Sequence, residues 1–508
     1  MIDIKKAAKG WESQKEYSYW IPECDIEGKI PLDLHGSFIR NGPGVNEVYG
    51  KKLKHPIDGD GMICKLSIAD GSVHFCSKFI KSKHRIEEAD KHEFIYSGQM
   101  GTRDTRMIKD TFDTVTGMVT GNLPSLTFRN PSNTNSFYWG GKILSLYETH
   151  LPHCLDPYSL ETLGLDNLNG SLSLGNAGVH FRIDPVTMNL VLFSLKPGVM
   201  KRRPTLQVFE FDRKWSLMKK MEMHIPDLNY AHDFLLFPSY YLFHITPFTD
   251  VGKWTAFQIL SGWTSPGESM RYYPDKPSRF VVIPRDAKSE KEVICFDTDP
   301  CHIFHFGTAE EINEELKFNC VCLDEKFNMT FAKGVWLSNT DVSPGLTFNY
   351  TLNLSTRKSS RTQIDSASAE FPSSHPYRNG QTGTKFIYLM ANDRNEMIPY
   401  RDLVKLDTKS IKKSVWNSDG VIGEPVFAPR HGYAASKQGA EDDGYVLVQL
   451  YHPDTHKTDF CILDARCVEK GPVARIKLKH HVPYGFHGTF TPEVFLYERT
   501  AKLIKSKL

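Results

Sequence analysis

Four histidines carry the first hint of chemistry: His180 in Gly178-Val179-His180-Phe181, His232 in Ala231-His232-Asp233-Phe234, His305 in Ile303-Phe304-His305-Phe306, and His487 in Gly485-Phe486-His487-Gly488. Each stands among apolar or glycine neighbours at an expected strand end. A neutral imidazole offers one ring-nitrogen lone pair and is the commonest side-chain ligand of a transition metal. Residues so far apart in sequence suit ligands that reach one axis from different parts of a closed β-architecture. Hydrogen-bonded core histidines would have the same neighbours, and spacing alone leaves both readings open. The chain has twenty histidines in all. The pairs His150/His153 and His302/His305 cannot chelate one ion from a strand, because residues i and i+3 point to opposite faces.

Such ligands need a scaffold, and the chain reads as strands. Met62, Cys64, Leu66 and Ile68 alternate with Lys65 and Ser67, Asp70-Gly71 turns, and Val73 and Phe75 resume the alternation. That is a strong hairpin signal. Phe137-Tyr138, Gly140-Gly141 and residues 142–147 predict a second hairpin; Asp443-Gly444, residues 445–451, Pro453-Asp454 and residues 458–463 predict a third. Long amphipathic helices are scarce, residues 309–316 are one short candidate, and the Ser/Thr- and charge-rich stretch 357–374 is expected as an exposed loop. Around His487, Gly485 and Gly488 are expected to take φ > 0 and bend the chain, under the aromatic cover of Tyr484, Phe486 and Phe490, while Pro483 suits a strand start or edge. Many short strands without long helices predict a large all-β fold, a propeller before a sandwich. No blade-to-blade identity is visible.

A chain of 508 residues gives a prior of roughly three domains. No linker divides it, and all-β units run long, so one domain over residues 1–508 is expected. The composition, 40% hydrophobic and 24% charged, is that of a globular protein, and Lys+Arg 62 against Asp+Glu 60 leaves a net charge of +2 and no field for nucleic acid. The start Met1-Ile2-Asp3-Ile4-Lys5-Lys6 lacks a signal-peptide core. No window reaches the ~18 apolar residues of a spanning helix. Ten cysteines occur without a CxxC pair, which excludes the common zinc ribbon; they are read as reduced core thiols of a cytoplasmic protein.

Several segments, in order, resemble the carotenoid cleavage oxygenases, non-haem iron enzymes on a seven-bladed β-propeller whose iron-bearing face is capped by loops and short helices. They are Gly36-Ser37-Phe38-Ile39-Arg40-Asn41-Gly42-Pro43, His55-Pro56-Ile57-Asp58-Gly59-Asp60-Gly61-Met62, Asn133-Thr134-Asn135, residues 148–164 with Leu155-Asp156-Pro157, Gly423-Glu424-Pro425-Val426-Phe427, Glu441-Asp442-Asp443-Gly444, and the segment around His487. These are among the matching segments, which run from about residue 20 to residue 495. The resemblance implies Fe(2+) held by His180, His232, His305 and His487. It implies outer carboxylates at Glu148 for His232, Glu370 for His305 and Glu424 for His487, with none for His180. It also puts Thr134 beside an open coordination position. A carboxylate that accepts a ligand's second N–H keeps the ring neutral and in one tautomer. The departures are Phe181 where the family usually has proline, Ala231 where methionine is common, and Gly307-Thr308-Ala309-Glu310-Glu311 after the third ligand; none removes a ligand.

The activity implied by this resemblance is that of an oxidoreductase, which cleaves a C=C bond of a carotenoid or apocarotenoid with O2 into two carbonyl products. An aromatic content of 12% is compatible with an apolar tunnel for such a polyene. The alternatives are a phenolic stilbene such as resveratrol, a retinyl-ester isomerohydrolase, and a non-catalytic propeller scaffold. Stilbene cleavers use a Tyr and a Lys, and Arg85 and Arg129 stand near those positions; arginine is a poor base. The isomerohydrolase reading lacks its Pro-Asp-Pro-Cys-Lys segment, and a scaffold would have lost part of the iron set. A lipophilic substrate implies peripheral membrane contact. Lys51-Lys52-Leu53-Lys54 and Met200-Lys201-Arg202-Arg203 are candidates for a basic rim, although a solvated charged face explains them as well.

Overall fold

In the strand Leu190–Lys196 both faces are apolar and both are buried: Val191, Phe193 and Leu195 pack with Tyr241 and Phe243, while Leu190 and Leu192 pack with Phe137 and Leu144. Alternate side chains of a strand leave on opposite faces, so this strand joins two separate cores. The pattern repeats around the molecule. The computed structural model describes residues 3–103, 128–198, 203–248, 253–260, 263–323, 344–392, 399–430 and 439–496. They form seven antiparallel sheets of four to six strands, plus a two-stranded ribbon, Glu47–Val48 with Lys51–Lys52. A distinct apolar cluster fills each of the seven spaces between successive sheets, the last lying between the seventh sheet and the first. This is a seven-bladed propeller. Each fully buried Leu or Phe in such a layer contributes ~1.5–3 kcal/mol.

The ring closes through strands from opposite ends of the sequence. Gly36–Pro43 pairs antiparallel with Gly488–Thr491 in the first sheet, Ser37 opposite Thr491. In the seventh sheet Ile26–Gly28 pairs with Pro472–Lys477.

The expected hairpins form. Asp70 and Gly71 (φ 49° and 73°) join Gly61–Ala69 to Ser72–Phe79, and Gly140 and Gly141 (φ 51° and 88°) join Asn135–Trp139 to Lys142–Leu146. Two successive positive-φ residues make the turn whose twist matches the strands. The third hairpin joins Gly444–His452 to Lys457–Asp464.

Four expectations are corrected. Residues 309–316 are not helical: strand His302–Ile312 turns at Asn313-Glu314 into Glu315–Leu323, and ladder pairing between them overrides helix propensity. Most of 357–374 is strand, Lys358–Asp365 at the outer edge of the fifth blade and Ser368–Ser373 opening the sixth. Its polarity belongs to an outer edge with one solvated face. Neither Gly485 nor Gly488 has positive φ; both are glycine because a Cβ would meet Arg40 Nη2 at 2.6 Å and the Ile39 carbonyl at 2.6 Å. Cys24 and Cys295 are exposed rather than core thiols. Among the described residues no helix is long and apolar enough to cross a membrane.

Candidate metal centre

Seven edge strands face the propeller axis: Asn135–Trp139, Arg182–Ile183, Leu235–Leu236, His302–Ile312, Ser368–Ser373, Val426–Pro429 and Gly488–Thr491. From the start of each, in that order, comes one residue: Thr134, His180, His232, His305, Glu370, Glu424 and His487. An inner strand begins where its blade is narrowest, so these side chains share one small space.

Local hydrogen bonds aim them. His305 sits at an irregularity in its strand's register between Ile303 and Phe306, and such bulges redirect a side chain. Asp233 ties three of the strands together. It accepts from the Arg182 guanidinium at 2.7 and 2.8 Å, from the Phe234 N–H at 2.7 Å and from the Phe306 N–H at 3.0 Å, so it links the neighbours of His180, His232 and His305. The His487 loop is held by Asn41, whose N–H donates to the His487 carbonyl at 2.8 Å and whose carbonyl accepts from the Phe486 N–H at 2.9 Å. Buried Arg40 donates to the carbonyls of Glu424 and Phe486 at 3.1 and 3.4 Å. Sequence reasoning places Arg40 and Asn41 in a family motif without assigning them work, and passes over Asp233. Their signal is present in the sequence: charged or amide groups inside otherwise apolar strands, where an unpaired polar group is costly.

The four imidazoles converge. Nε2 of His232 lies 3.2 Å from Nε2 of His180 and 3.1 Å from that of His305, and Nε2 of His305 lies 3.1 Å from that of His487. One ligand atom from each of the four lies within 4.8 Å of the others. On the outer side, Nδ1 of His232 bonds Glu148 Oε1 at 2.5 Å, Nδ1 of His305 bonds Glu370 Oε2 at 2.6 Å, and Nδ1 of His487 bonds Glu424 Oε1 at 2.8 Å. A carboxylate accepts, so each of these Nδ1 atoms carries the proton and each Nε2 turns a bare lone pair inward. Lone pairs 3.1 Å apart repel unless a cation stands among them. Nitrogens ~2.1 Å from one ion and at right angles across it would be ~3.0 Å apart, close to the spacing observed, so the donor set fits a transition metal. His180 has Asp233 Oδ1 at 3.9 Å from its Nδ1, beyond hydrogen-bond distance.

At His180, His487 and Glu148 protonation agrees with ligation. Burial, then the neighbouring imidazoles, hold His180 and His487 well below the usual histidine range. Burial is the largest influence on Glu148 and opposes its ionisation, but the hydrogen bond and charge interaction with His232, a backbone hydrogen bond and His487 together outweigh it and leave the carboxyl below its usual value. Burial pushes Glu424 up to about 7, against Arg40 and the Gly488 N–H.

A cavity of about 950 Å³ opens on the centre, at the upper end of the range for ligand sites. His232, His305, His487, Glu148, Glu370 and Thr134 line it beside Phe193, Phe248, Phe304, Phe371 and Met390. The Thr134 carbonyl accepts from the His487 N–H at 3.1 Å, which sets the threonine next to that ligand. Helix Pro266–Ser269 and Ile259 of helix Lys253–Leu260 form part of the wall.

Arg85 and Arg129 do not line the cavity. Arg129 donates to Asp60 at 2.6 Å and lies 3.3 Å from Glu88, and Arg85 donates to Asp60 at 2.7 Å. Both are committed to an ion network around buried Asp60 and Glu88, away from the cavity wall. Lys51 and Lys52 sit in the short ribbon, Lys54 lies 3.7 Å from Glu268, and Arg203 pairs with Glu290 at 3.3 Å; residues 200–202 lie outside the described residues.

Comparison with known proteins gives one family. The profile described as retinal pigment epithelial membrane protein matches residues 11–492. The apocarotenoid-15,15'-oxygenase of Synechocystis sp. is 32% identical over 496 residues, covering 95% of each chain. The carotenoid 9,10(9',10')-cleavage dioxygenase 1 of Arabidopsis thaliana is 26% identical over 505 residues, covering 94% of this chain and 88% of its own. Among solved structures, a cobalt-substituted Synechocystis ACO superposes with a TM-score of 0.87 at 31% identity, covering 96% of this chain and 99% of its own.

Proposed function

We infer the function from one premise: the chain belongs to the retinal pigment epithelial membrane protein family, which takes in the carotenoid cleavage oxygenases. It is an oxidoreductase that cleaves a C=C bond of a carotenoid or apocarotenoid, the two atoms of O2 ending as the oxygens of two carbonyl products. The observation that carries this reading is the centre of four inward lone pairs opening on a large, mainly apolar cavity.

The ion is Fe(2+), held by His180, His232, His305 and His487. When bound it supplies the one-electron redox chemistry that lets triplet O2 react with a closed-shell alkene. The chain does the rest. Glu148, Glu370 and Glu424 keep the Nδ1 protons of their histidines in place, so the ligands stay neutral and correctly turned. The phenylalanine- and methionine-lined cavity takes the polyene out of water and sets one double bond beside the centre, and such proximity supplies several kcal/mol of barrier lowering. Thr134, beside His487, narrows the approach from the cavity. With Arg85 and Arg129 withdrawn from the wall, nothing at those positions grips a phenol, which ranks the stilbene reading below a polyene. The reading treats residues 1–508 as one domain, supported by ring closure between strands from both ends of the sequence.

The test is iron analysis of purified protein, with product masses from β-carotene, an apocarotenal and resveratrol under O2. Near-stoichiometric iron is expected, with two carbonyl products whose masses sum to substrate plus O2. Fully folded protein that takes up no iron sinks the reading. Cleavage of resveratrol alone moves the substrate to the stilbenes.

We place the protein in the cytoplasm in peripheral contact with membranes. Support comes from the aromatic surface beside the cavity: Trp254, 63% exposed, stacks on Phe257 at 5.4 Å and lies edge-on to Trp263, itself 46% exposed, at 6.3 Å. Trp254→Glu is expected to weaken sedimentation with phosphatidylcholine vesicles about tenfold without moving the melting temperature. Unchanged vesicle binding refutes this placement.

A further inference from the structure

The imidazole cluster divides two cavities, a large one that is mainly apolar and a smaller one whose wall mixes polar groups with aromatic side chains such as Phe137, Phe181 and Phe490. His232 borders only the large apolar one, and His180 borders only a second of about 180 Å³; His305, His487 and Phe371 border both. The wall of the second includes Asn135, Asp233, Asn379, Ser374 and Glu424. At its rim Ser373, Ser374 and Pro376 are partly exposed to solvent. The wall's Arg182 and Asp233 neutralise one another through their two short contacts, which leaves Glu424 as its remaining acid. Asn379 stands out. It is 6% exposed, and its Oδ1 is buried without a hydrogen-bond partner. An orphaned buried amide oxygen is costly, and it is the hard donor that a hydrated divalent cation accepts in place of water.

We propose that this second cavity is the route by which the divalent metal ion enters and leaves the four-histidine centre, so that metal and polyene arrive by separate paths. The proposal rests on the reading of that centre as a metal site. Stripping a dication for passage along phenylalanine and methionine walls is prohibitive, since even a single charge costs tens of kcal/mol to move into an apolar medium. The second cavity lowers that obstacle, because a larger share of its wall is polar, although phenylalanines line it too. Its volume holds on the order of six waters at ~30 Å³ each, room for an ion with part of its shell. The Asn379 side-chain carbonyl and the Ser374 hydroxyl offer replacements for the waters lost; the Asn135 amide is already engaged by Val179 and Ser136. The path ends on the His180 side, at the one ligand that no carboxylate braces.

Metal-free full-length protein, mixed rapidly with Co(II) and followed by the ligand-field absorption of the bound ion, tests the route independently of turnover. Ser374→Trp at the rim is expected to slow uptake at least about tenfold and to slow release to a chelator by the same factor, because a barrier on a path alters both rates and leaves the equilibrium alone. Stoichiometry and affinity therefore stay at the wild-type values. Filling the apolar cavity of the wild-type protein with an apocarotenal, which needs no variant to fold, should leave the uptake rate unchanged. Uptake that is slowed by the apocarotenal, or a properly folded Ser374→Trp protein with wild-type rates, overturns the route. Wild-type protein that binds no Co(II) at all instead overturns the metal reading beneath it.

Discussion

His305→Ala is expected to abolish stoichiometric metal binding and to remove polyene cleavage while the seven sheets stay folded. His305, like His232, stands between two other imidazoles of the cluster. Its Nε2 lies within 3.1 Å of both His232 and His487, and its Nδ1 is the outer contact of Glu370. Loss of an outer hydrogen-bond partner typically costs ~10–100-fold in metal affinity, and loss of a ligand itself should cost more. The stability change should be small by comparison, ~1–3 kcal/mol for one buried hydrogen bond, because Glu370 Oε2 keeps the Phe371 N–H at 2.6 Å. Metal analysis and thermal melting on the same sample separate the two effects. A His305→Ala protein with full metal content would show that the four imidazoles are not the metal site. Glu424→Gln calibrates the result: an acceptor for the His487 ring is kept and the charge is lost, so metal should be retained ~10–100-fold less tightly with little change in melting. Equal loss of metal and of fold would mark Glu424 as structural.

Arg129→Met should be strongly destabilising, by ~3–5 kcal/mol at pH 7, because it leaves buried Glu88 without its cation and Asp60 with only Arg85 and His84. Arg129 is 1% exposed and sits between Asp60 and Glu88, with side-chain exposures of 4% and 1%. Burial alone would raise the Asp60 carboxyl; Arg129, His84 and Arg85 outweigh it and hold the group well below the usual carboxylate range. A folded-state value below the unfolded one contributes stability that is present above the unfolded pKa and lost as pH falls through the folded value. In the variant Asp60 keeps Arg85 and His84, whereas Glu88 loses its cation. A buried carboxylate without a cation carries a penalty that is full at neutral pH and relaxes as the group takes a proton. Urea unfolding at pH 7 and pH 5 should therefore show the gap between wild type and variant narrowing at the lower pH. A pH-independent gap would point to lost packing instead, and a fully stable variant with altered substrate preference would return Arg129 to the substrate.

Particular residues show what can be read in advance. The turns at Asp70-Gly71 and Gly140-Gly141 are legible because a two-residue turn dictates its own chemistry. The four histidines and three glutamates are legible only through family resemblance, because nothing local distinguishes His487 from a core histidine; what unites them is a meeting point set by seven separate strands. The helix expected at 309–316 fails because Ala309 to Glu311 follow helical propensity in isolation, whereas pairing with Leu316 to Phe318 is a tertiary fact. The blade repeat stays invisible for a related reason. Strands buried on both faces, such as Leu190–Lys196, lose the in–out alternation on which periodicity depends. Asp233 escapes notice because its partners Arg182 and Phe306 lie in the blades on either side, a contact between sheets that no local pattern signals.

That closure has a consequence for biosynthesis. The fourth imidazole is translated 182 residues after the third, and the strand it precedes is the partner for which Gly36–Pro43 has waited since the start of translation. Until then the nascent polypeptide carries one unpaired β-edge of mainly buried residues, a hazard for association with other chains. The ribosome must therefore release the His487 segment before either the ring or the complete ligand set exists, so an aborted translation product lacking that segment leaves both the edge and the centre unfinished.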